Sequence, residues 1–174
     1  MPDAINWTVR EAGANDAPAL AVVGTATFLE TFAGVLDGGA IVQHCLRANS
    51  ADAYAQCLDG NSRAWLAEVA PGGAPAGFAL TTAPDLPGAR HGDIELKRIY
   101  TLSRFHGLGI GAALMNAVLA ASAGFERVLL GVYAGNHRAI AFYRKHGFEQ
   151  VATRKFDVGG TLYDDIVLAR PLAR

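Results

Sequence analysis

Three glycines, each separated from the next by one residue, lie near the middle of the chain at a place where anion binding is expected. The segment reads His106-Gly107-Leu108-Gly109-Ile110-Gly111 and is followed by Ala112 and a helical pattern of apolar residues. Glycines leave backbone N–H groups uncovered at the N-terminus of a helix, where the helix dipole also favours negative charge. The segment therefore predicts a loop that binds a phosphate or pyrophosphate group.

Three explanations compete for this glycine loop. A mononucleotide P-loop requires Gly-Lys-Ser/Thr, whereas Gly111 is followed by two alanines, which argues strongly against it. A dinucleotide-binding loop should follow the first strand of a β-α-β unit and should have an acidic residue about 20 residues further on. Glu126 is near that spacing, but it precedes the next predicted strand instead of ending it. A glycine-rich turn without a ligand is the third explanation.

A second motif follows the next predicted strand and bears on the choice among these explanations. The segment from Asn136 to Phe148 reads NHRAIAFYRKHGF, in which Asn136 can cap a helix and Gly147 can end it. The loop and this helix together resemble the GNAT superfamily of acyl-CoA-dependent N-acetyltransferases. In that superfamily the loop has the form Q/R-x-x-G-x-G/A and the later helix reads N-x-x-A-I-x-F-Y-x-K-x-G-F. Both halves are present at the family's spacing over residues 93–156.

Three further segments resemble one branch of this superfamily, the polyamine acetyltransferases of the PaiA type. They are residues 27–32 (TFLETF), residues 96–101 (LKRIYT) and residues 156–159 (FDVG), with Asp164 or Asp165 near the end. The resemblance implies an acceptor that is a primary amine on a small molecule such as a polyamine. A protein lysine or an N-terminal amine is the second choice of acceptor. From the resemblance alone we also expect a homodimer.

The resemblance also implies a role for each matching residue. The backbone of Ile99, Tyr100 and Thr101 would pair with the pantetheine arm of acetyl-CoA and polarise the thioester carbonyl, because these residues end a strand that splays from its neighbour. The loop amides would hold the pyrophosphate, and Asn136 would hydrogen-bond the pantetheine. Tyr143 would protonate the departing CoA thiolate, a role that suits a phenol because its proton stays on at neutral pH. The alternative for Tyr143 is a half-buried aromatic whose hydroxyl merely finds a partner. The residues expected to contact the pyrophosphate are His106, Gly107, Leu108, Gly109, Ile110, Gly111 and Ala112.

His106 departs from the family pattern, which has Gln or Arg at the head of the loop. An imidazole can still donate a hydrogen bond to a phosphate, so we expect binding to persist with an affinity that depends on pH. The basic residues of the later helix, Arg138, Arg144 and Lys145, are interpreted as a solvated face, although one of them could meet the 3′-phosphate of CoA.

Acetylation of an amine also needs a group that removes a proton, because a primary ammonium is charged at pH 7. Glu95 occupies the strand position where histone-type members of the superfamily have a glutamate that acts through water. Another superfamily pattern places the glutamate in the following strand, where this chain has Gly131. Glu95 is therefore the predicted base and Glu30 the predicted contact to a cationic substrate. For both, a solvated surface carboxylate is the competing explanation.

The elements that must position these residues follow from hydrophobic periodicity and turn residues. Helices are predicted over residues 16–32 and 41–58, and strands over residues 7–10, 64–70, 77–82 and 93–102. After the loop come a helix to residue 124, a strand at 127–133, a helix at 137–145 and two strands at 148–156 and 162–169. The order β-α-α-β-β-β-α-β-α-β-β is a mixed α/β fold, as expected for the GNAT acyl-CoA N-acyltransferase fold.

Composition bounds the remaining possibilities. The 174 residues suit one domain, 1–174. The net charge of −1 argues against a dedicated nucleic-acid or anionic-membrane binder. Residues 105–125 carry no charge, but they open with glycines, so the helical part is too short to span a bilayer. Met1-Pro2-Asp3 shows no signal peptide, and we expect a cytoplasmic protein.

Cysteine and histidine spacing predicts neither a disulfide framework nor a metal site. Cys45 and Cys57 form no CxxC pair, and no two of the five histidines have the spacing of zinc ligands. Taken with this absence of a metal signature, the GNAT resemblance implies a metal-free, acetyl-CoA-dependent N-acetyltransferase that transfers the acetyl group directly in a ternary complex. A CoA-binding sensor or interaction module without turnover stays open as the alternative.

Overall fold

A seven-stranded mixed sheet forms the centre of the computed structural model, which describes residues 5–173. The expectation drawn from Met1-Pro2-Asp3 falls outside the described residues. The strands are β1 (Trp7–Ala12), β2 (Arg63–Val69), β3 (Ala74–Thr82), β4 (Asp93–Thr101), β5 (Arg127–Tyr133), β6 (Glu149–Val158) and β7 (Thr161–Pro171). The helices are α1 (Ala17–Phe32), α2 (Gly38–Ala48), α3 (Ala51–Leu58), α4 (Ile110–Ala121) and α5 (His137–Lys145). The strand order is β1-β2-β3-β4-β5-β7-β6, which confirms the predicted mixed α/β fold.

The predicted helix over residues 41–58 is two helices, α2 and α3. The break falls at Asn49 and Ser50, where the Ser50 backbone is extended and its hydroxyl accepts a hydrogen bond from the Ala53 N–H at 3.1 Å. This is a standard N-cap. The apolar periodicity continues across the break, which is why the pattern alone predicted a single helix.

Helices cover both faces of the sheet. On one face, Leu114, Met115 and Val118 of α4 pack with side chains of β2, β4 and β5, and Ile140 and Tyr143 of α5 join the same cluster. On the other face, α1 and α3 pack on β2 and β3, and α2 packs with α1 near the end of β6. The uncharged run of residues 105–125 contains the glycine loop and the 12-residue α4. Within residues 5–173, no helix is long and apolar enough to cross a membrane.

The central parallel pair, β4 and β5, separates soon after it begins. Only Asp93, Ile94 and Glu95 of β4 have partners in β5, and every other neighbouring pair in the sheet is antiparallel. Thr81 of β3 pairs with Leu96 while Leu80 pairs with Arg98, so Lys97 is the extra residue of a β-bulge. A bulge bends its strand and increases the local twist. The edges of β4 and β5 that face each other are therefore unpaired beyond this point.

A buried ion pair holds the closed end of this gap. Arg127, the first residue of β5, donates hydrogen bonds to both carboxylate oxygens of Asp93, the first residue of β4, at 3.0 and 2.7 Å. The Asp93 side chain is 1% exposed. Burial by itself would raise the pKa of Asp93, but hydrogen bonds from the Arg127 guanidinium and the Arg90 amide outweigh it and hold this pKa below its usual value.

Asp93→Asn should lower the free energy of unfolding by about 3–5 kcal/mol, because it leaves the partly buried Arg127 charge without its partner. The matched control is Glu11→Gln, which breaks the exposed pair with Arg63 and should cost less than about 1 kcal/mol. Urea denaturation measures both. Because folding lowers the pKa of Asp93, the stabilisation by its ionised carboxylate is complete above the unfolded-state pKa and is lost as the pH falls. The free energies of unfolding of wild type and Asp93→Asn should therefore converge below about pH 4. Equal losses for Asp93→Asn and Glu11→Gln at pH 7 would contradict the assignment.

Candidate functional site

A cleft of about 750 Å³ opens where β4 and β5 separate. Residues from both faces of the sheet line it, including the ends of β4 and β5, the glycine loop, α5, α1 and α2. It brings together most of the residues that the sequence predicts for the site: Glu95, Ile99, Tyr100, Thr101, His106, Gly107, Gly109, Ile110, Gly111, Ala112, Asn136 and Tyr143. Leu108 and Glu30 are not among the lining residues.

The glycine loop is built to expose backbone amides. Gly107 has φ +84° and Gly109, the N-cap residue of α4, has φ +88°, which is the left-handed region that favours glycine. No side chain caps α4, and the first N–H groups of a helix have no partner within it. The Leu108 N–H is an exception to the predicted set, because it donates to the Phe105 carbonyl at 3.4 Å. The amides of the first turn of α4 are thus the ones available to an anion.

His106 uses both ring nitrogens within the protein. Its Nε2 donates to the Thr101 carbonyl at 2.8 Å, and its Nδ1 accepts from the guanidinium of Arg138. Both ring nitrogens therefore have partners within the protein, so a phosphate would have to compete with Thr101 or Arg138 for the ring. The cation at this end of the cleft is Arg138, which lies in the first turn of α5. The sequence interpretation grouped it with Arg144 and Lys145 on a solvated face; in the structure Arg138 and Lys145 line the cleft and Arg144 does not.

Glu30 binds the turn that leads into the loop. Its carboxylate accepts from the N–H and the hydroxyl of Ser103 at 2.8 and 2.7 Å. The backbone and side-chain hydrogen bonds from Ser103 lower the pKa of Glu30, and the nearby His106 acts in the same direction. The structure therefore ties α1 to the 3₁₀ turn Ser103–Phe105 through Glu30 and does not place this carboxylate in the cleft.

Tyr143 has a buried ring whose hydroxyl opens into the cleft. The ring packs against Phe142 and Phe148, and the residue is 8% exposed. The hydroxyl forms no hydrogen bond with a described residue. Within residues 5–173 every fully buried polar side-chain atom has a hydrogen-bond partner, so the Tyr143 hydroxyl must be in part accessible from the cleft. Burial, with a further contribution from Tyr100, raises the pKa of Tyr143 above its usual value. The Tyr143 hydroxyl is thus a protonated hydrogen-bond donor without a partner among the described residues.

Glu95 is buried, so it is not the solvated carboxylate of the competing explanation. It is 2% exposed. One carboxylate oxygen accepts from the Asp85 N–H at 2.8 Å, and the other lies 3.2 Å from the ammonium of Lys97. Asn136 is partly committed as well, since its side-chain oxygen caps α5 by accepting from the Ala139 N–H. Its Nδ2 group is what remains for a ligand.

Aromatic rings and several charged groups form the wall on the α1 and α2 side. His44 stacks on Phe28 with ring centroids 4.1 Å apart, and burial, assisted by the charge of Arg98, lowers the pKa of His44 to about 4. A Cβ atom at Gly131 would lie 2.8 Å from Nη2 of Arg154, so the missing side chain makes room for this guanidinium, which pairs with Asp165 at 3.2 Å. Burial raises the pKa of Asp165 despite that pairing. Further aromatic residues that line the cleft on this side are Phe32, Phe78, Tyr100, Tyr133, Phe156 and Tyr163.

Sequence reasoning did not find Arg98, His44 or Arg154 as cleft residues. His44 and Arg154 lie in segments that carry no motif, and the resemblance over the segment LKRIYT implies no role for Arg98. Within residues 5–173, no group of three His, Cys, Asp or Glu side chains is arranged to hold a metal ion. Cys45 and Cys57 are both free thiols.

The sequence model of the acetyltransferase (GNAT) family matches residues 37–148. The chain therefore belongs to this family, as the resemblance predicted. Uncharacterised N-acetyltransferases from Mycobacterium tuberculosis and Mycobacterium bovis are 46% identical over 82 residues, which are 46% of this chain and 53% of theirs. The match thus spans about half the length of these curated relatives.

Solved structures share the fold over nearly the whole chain. The PaiA N-acetyltransferase of Thermoplasma acidophilum, solved with coenzyme A, has a TM-score of 0.77 at 17% identity and covers 95% of this chain and 99% of its own. The ribosomal-protein-S18-alanine N-acetyltransferase of Escherichia coli has a TM-score of 0.69 at 20% identity, with 97% and 96% covered. At these identities the likeness shows the fold alone.

Gly109→Ala should cost about 1–2 kcal/mol of unfolding free energy, because an L-residue is strained in the left-handed backbone of this N-cap. Gly111→Ala is the matched control. Gly111 lies inside α4 without a positive φ, and its added Cβ would make ordinary contact with the Phe142 ring at 3.5 Å, so this variant should be neutral or more stable. Thermal and urea unfolding measure both. The same loss in both variants would show that the loop does not need its left-handed backbone at residue 109.

Proposed function

We propose that this chain transfers an acetyl group from acetyl-CoA to a primary amine by direct attack in a ternary complex. The observation that carries the proposal is the convergence of three features in one cleft: the unpaired edge of β4, the free amides at the start of α4 and the unpartnered hydroxyl of Tyr143. Membership in the GNAT family and the fold shared with a CoA-bound structure support it.

The two ends of the cleft suit different parts of acetyl-CoA. The α4 amides and the guanidinium of Arg138 provide the donors and positive charge that a pyrophosphate needs. The backbone of Ile99, Tyr100 and Thr101 lies on β4 beyond its last pair with β5, so its outward groups can hydrogen-bond the amides of the pantetheine arm. Asn136 can add its Nδ2 group. The thioester then lies between the diverging strands, near Tyr143.

In the proposed reaction, the nitrogen of the free amine forms a bond to the thioester carbon, and the carbonyl electrons move to oxygen. Backbone N–H groups of β4 stabilise the resulting oxyanion. Before this attack, Glu95 takes a proton from the substrate ammonium through a water molecule, which frees the amine, and later releases that proton to solvent. As the oxyanion collapses, the C–S bond breaks and Tyr143 donates its proton to the departing CoA thiolate. The proton that the attacking nitrogen loses on becoming an amide restores the Tyr143 hydroxyl. The products are the N-acetylated amine and free CoA, and no covalent enzyme intermediate is needed.

The shape of the cleft favours a small acceptor over a lysine on a folded protein. The Cα of Gly159, in the turn between β6 and β7, lies against Ala40 of α2, where an added Cβ would be 2.7 Å away. The Asp37 N–H also donates to the Tyr163 hydroxyl at 3.2 Å. The start of α2 thus closes against the β6–β7 hairpin over the wall that the acceptor would meet. A polyamine is the acceptor class that the PaiA-type resemblance suggests.

Release of free thiol from acetyl-CoA, measured on a panel of polyamines, amino acids, aminoglycosides and lysine peptides, tests the proposal. At least one amine should give thiol and a product 42 Da heavier per acetyl group added in place of hydrogen. Tyr143→Phe should lower kcat by about 10²–10⁴-fold while the affinity for CoA and the Tm stay close to wild type. If CoA binds but no amine yields thiol, the chain acts as a CoA-binding sensor instead. A fully active Tyr143→Phe variant would contradict the assigned proton donor.

Glu95→Gln should lower kcat/KM by about 10²-fold or more, with the steepest loss at low pH. As the pH falls, less acceptor is present as free amine, so the reaction depends more on proton removal by the enzyme. The pH–rate profiles of the two proteins provide the measurement. Glu149→Gln, which changes an exposed carboxylate at the start of β6, is the matched control and should leave the profile unchanged. An unchanged profile in Glu95→Gln would exclude Glu95 as the base.

A further inference from the structure

Arg98 is held in the wall of the cleft by a network from three other elements. Its Nη1 donates to the side-chain oxygen of Asn49 at 2.5 Å and to the hydroxyl of Tyr54 at 2.7 Å. Asn49 is 3% exposed and Tyr54 is 1% exposed. Asn49 in turn donates to the carbonyl of Gly24 in α1 at 3.3 Å. The guanidinium is therefore fixed from one side.

A glycine inside α1 makes this network possible. A Cβ atom at Gly24 would lie 2.4 Å from the Tyr54 hydroxyl and 3.1 Å from the Asn49 side-chain oxygen. Glycine is less favourable than alanine in a helix interior, but only glycine at this position leaves room for Asn49 and Tyr54 to approach α1 and hold Arg98.

The charge of Arg98 has no protein counterion within residues 5–173. The half-buried Arg127 and Arg154 each pair with a carboxylate, and the nearby Glu95 is paired with Lys97. Arg98 has only the neutral partners Asn49 and Tyr54. The Nε and Nη2 groups form no hydrogen bond with a described residue, and together they make the planar fork that binds a carboxylate through two parallel hydrogen bonds.

The location of Arg98 separates it from the proposed acetyl-CoA site. Its side chain lies on the sheet face covered by α1 and α3, whereas α4 and its amides lie on the opposite face. Arg98 is also close enough to His44 to lower its pKa, so its positive charge acts within the aromatic wall. An anionic group held here would belong to the acceptor and not to the CoA phosphates.

We propose that Arg98 binds a carboxylate of the acceptor, so that the acetylated amine belongs to an amino acid or a related amino carboxylate. The inference rests on the proposed function and names its substrate class. A polyamine fits this wall less well, because it would place positive charge beside the Arg98 guanidinium, while two carboxylates that line the cleft, Glu95 and Asp165, are already paired with Lys97 and Arg154. The aromatic rings around His44 suit the apolar body of such a molecule.

Matched pairs of α- and ω-amino acids and their carboxamides test the proposal, since each pair differs mainly in the negative charge. With wild-type protein, at least one acid should exceed its amide in kcat/KM by about 10- to 100-fold. Arg98→Gln should bring this ratio close to 1, and Arg98→Lys, which keeps the charge without the fork, should give an intermediate ratio. Arg47→Gln removes an exposed arginine of α2 that does not line the cleft and should keep the wild-type ratio. Because the result is a ratio, a partly unfolded variant does not change it.

Different outcomes separate the failure of this inference from the failure of the proposed function. If amides and alkylamines are acetylated as well as acids by wild-type protein, or if Arg98→Gln keeps the preference for acids, Arg98 is not the carboxylate site although transfer stands. If no amine yields thiol, the proposed function fails. Calorimetric titration of the same acids and amides into the CoA-bound protein then decides: a preference for acids that Arg98→Gln removes supports the carboxylate site, and its absence overturns it.

Discussion

The separation of two parallel strands after three residue pairs is the constraint on which the rest of the structure depends. In an ordinary sheet, β4 and β5 would continue to satisfy each other's N–H and C=O groups. Here the facing edges of both strands are left without a strand partner beyond Glu95. Backbone polar groups removed from water need partners, so such edges persist only where solvent or a ligand reaches them. The cleft, and the positions of the Tyr143 hydroxyl and of Glu95 in its lining, follow from that opening.

Several contacts hold the opening in a defined shape. Arg127 and Asp93 hold its closed end. At its open end, Glu30 holds the turn at Ser103, and His106 connects the Thr101 carbonyl to Arg138. These polar groups link α1, the end of β4 and α5, which come from three separate parts of the chain. These contacts therefore fix the elements around the glycine loop, which has little side-chain packing of its own.

The sequence predicted best what depends on neighbouring residues. The glycine loop and the helix capped by Asn136 were found because their residues lie next to one another along the chain. The order of the last strands, in which β7 lies between β5 and β6, depends on pairing between distant segments and has no such local signal. The break at Ser50 was missed because the apolar pattern continues across it.

Side-chain roles were harder to predict when distant residues decide them. His106 was expected to face a phosphate, but Thr101 and Arg138 take both its nitrogens. Glu95 is buried and Glu30 is exposed, and the spacing of residues along the chain does not indicate this difference. Arg98 acquires its position from Gly24, Asn49 and Tyr54, which lie 74, 49 and 44 residues away.

The single extra residue at Lys97 changes which side chains of β4 share a face. In a regular strand alternate residues point to the same side, so Glu95 and Arg98 would point to opposite sides. The bulge shifts this alternation by one. Leu80, the partner of Arg98, packs in the cluster with Tyr54, and Tyr100 packs against the same cluster, while Leu96 and Ile99 pack towards α4. The one-residue phase shift thus places an acidic, a basic and a phenolic side chain in a row along one side of a single strand, an arrangement that an unbroken strand of this sequence could not produce.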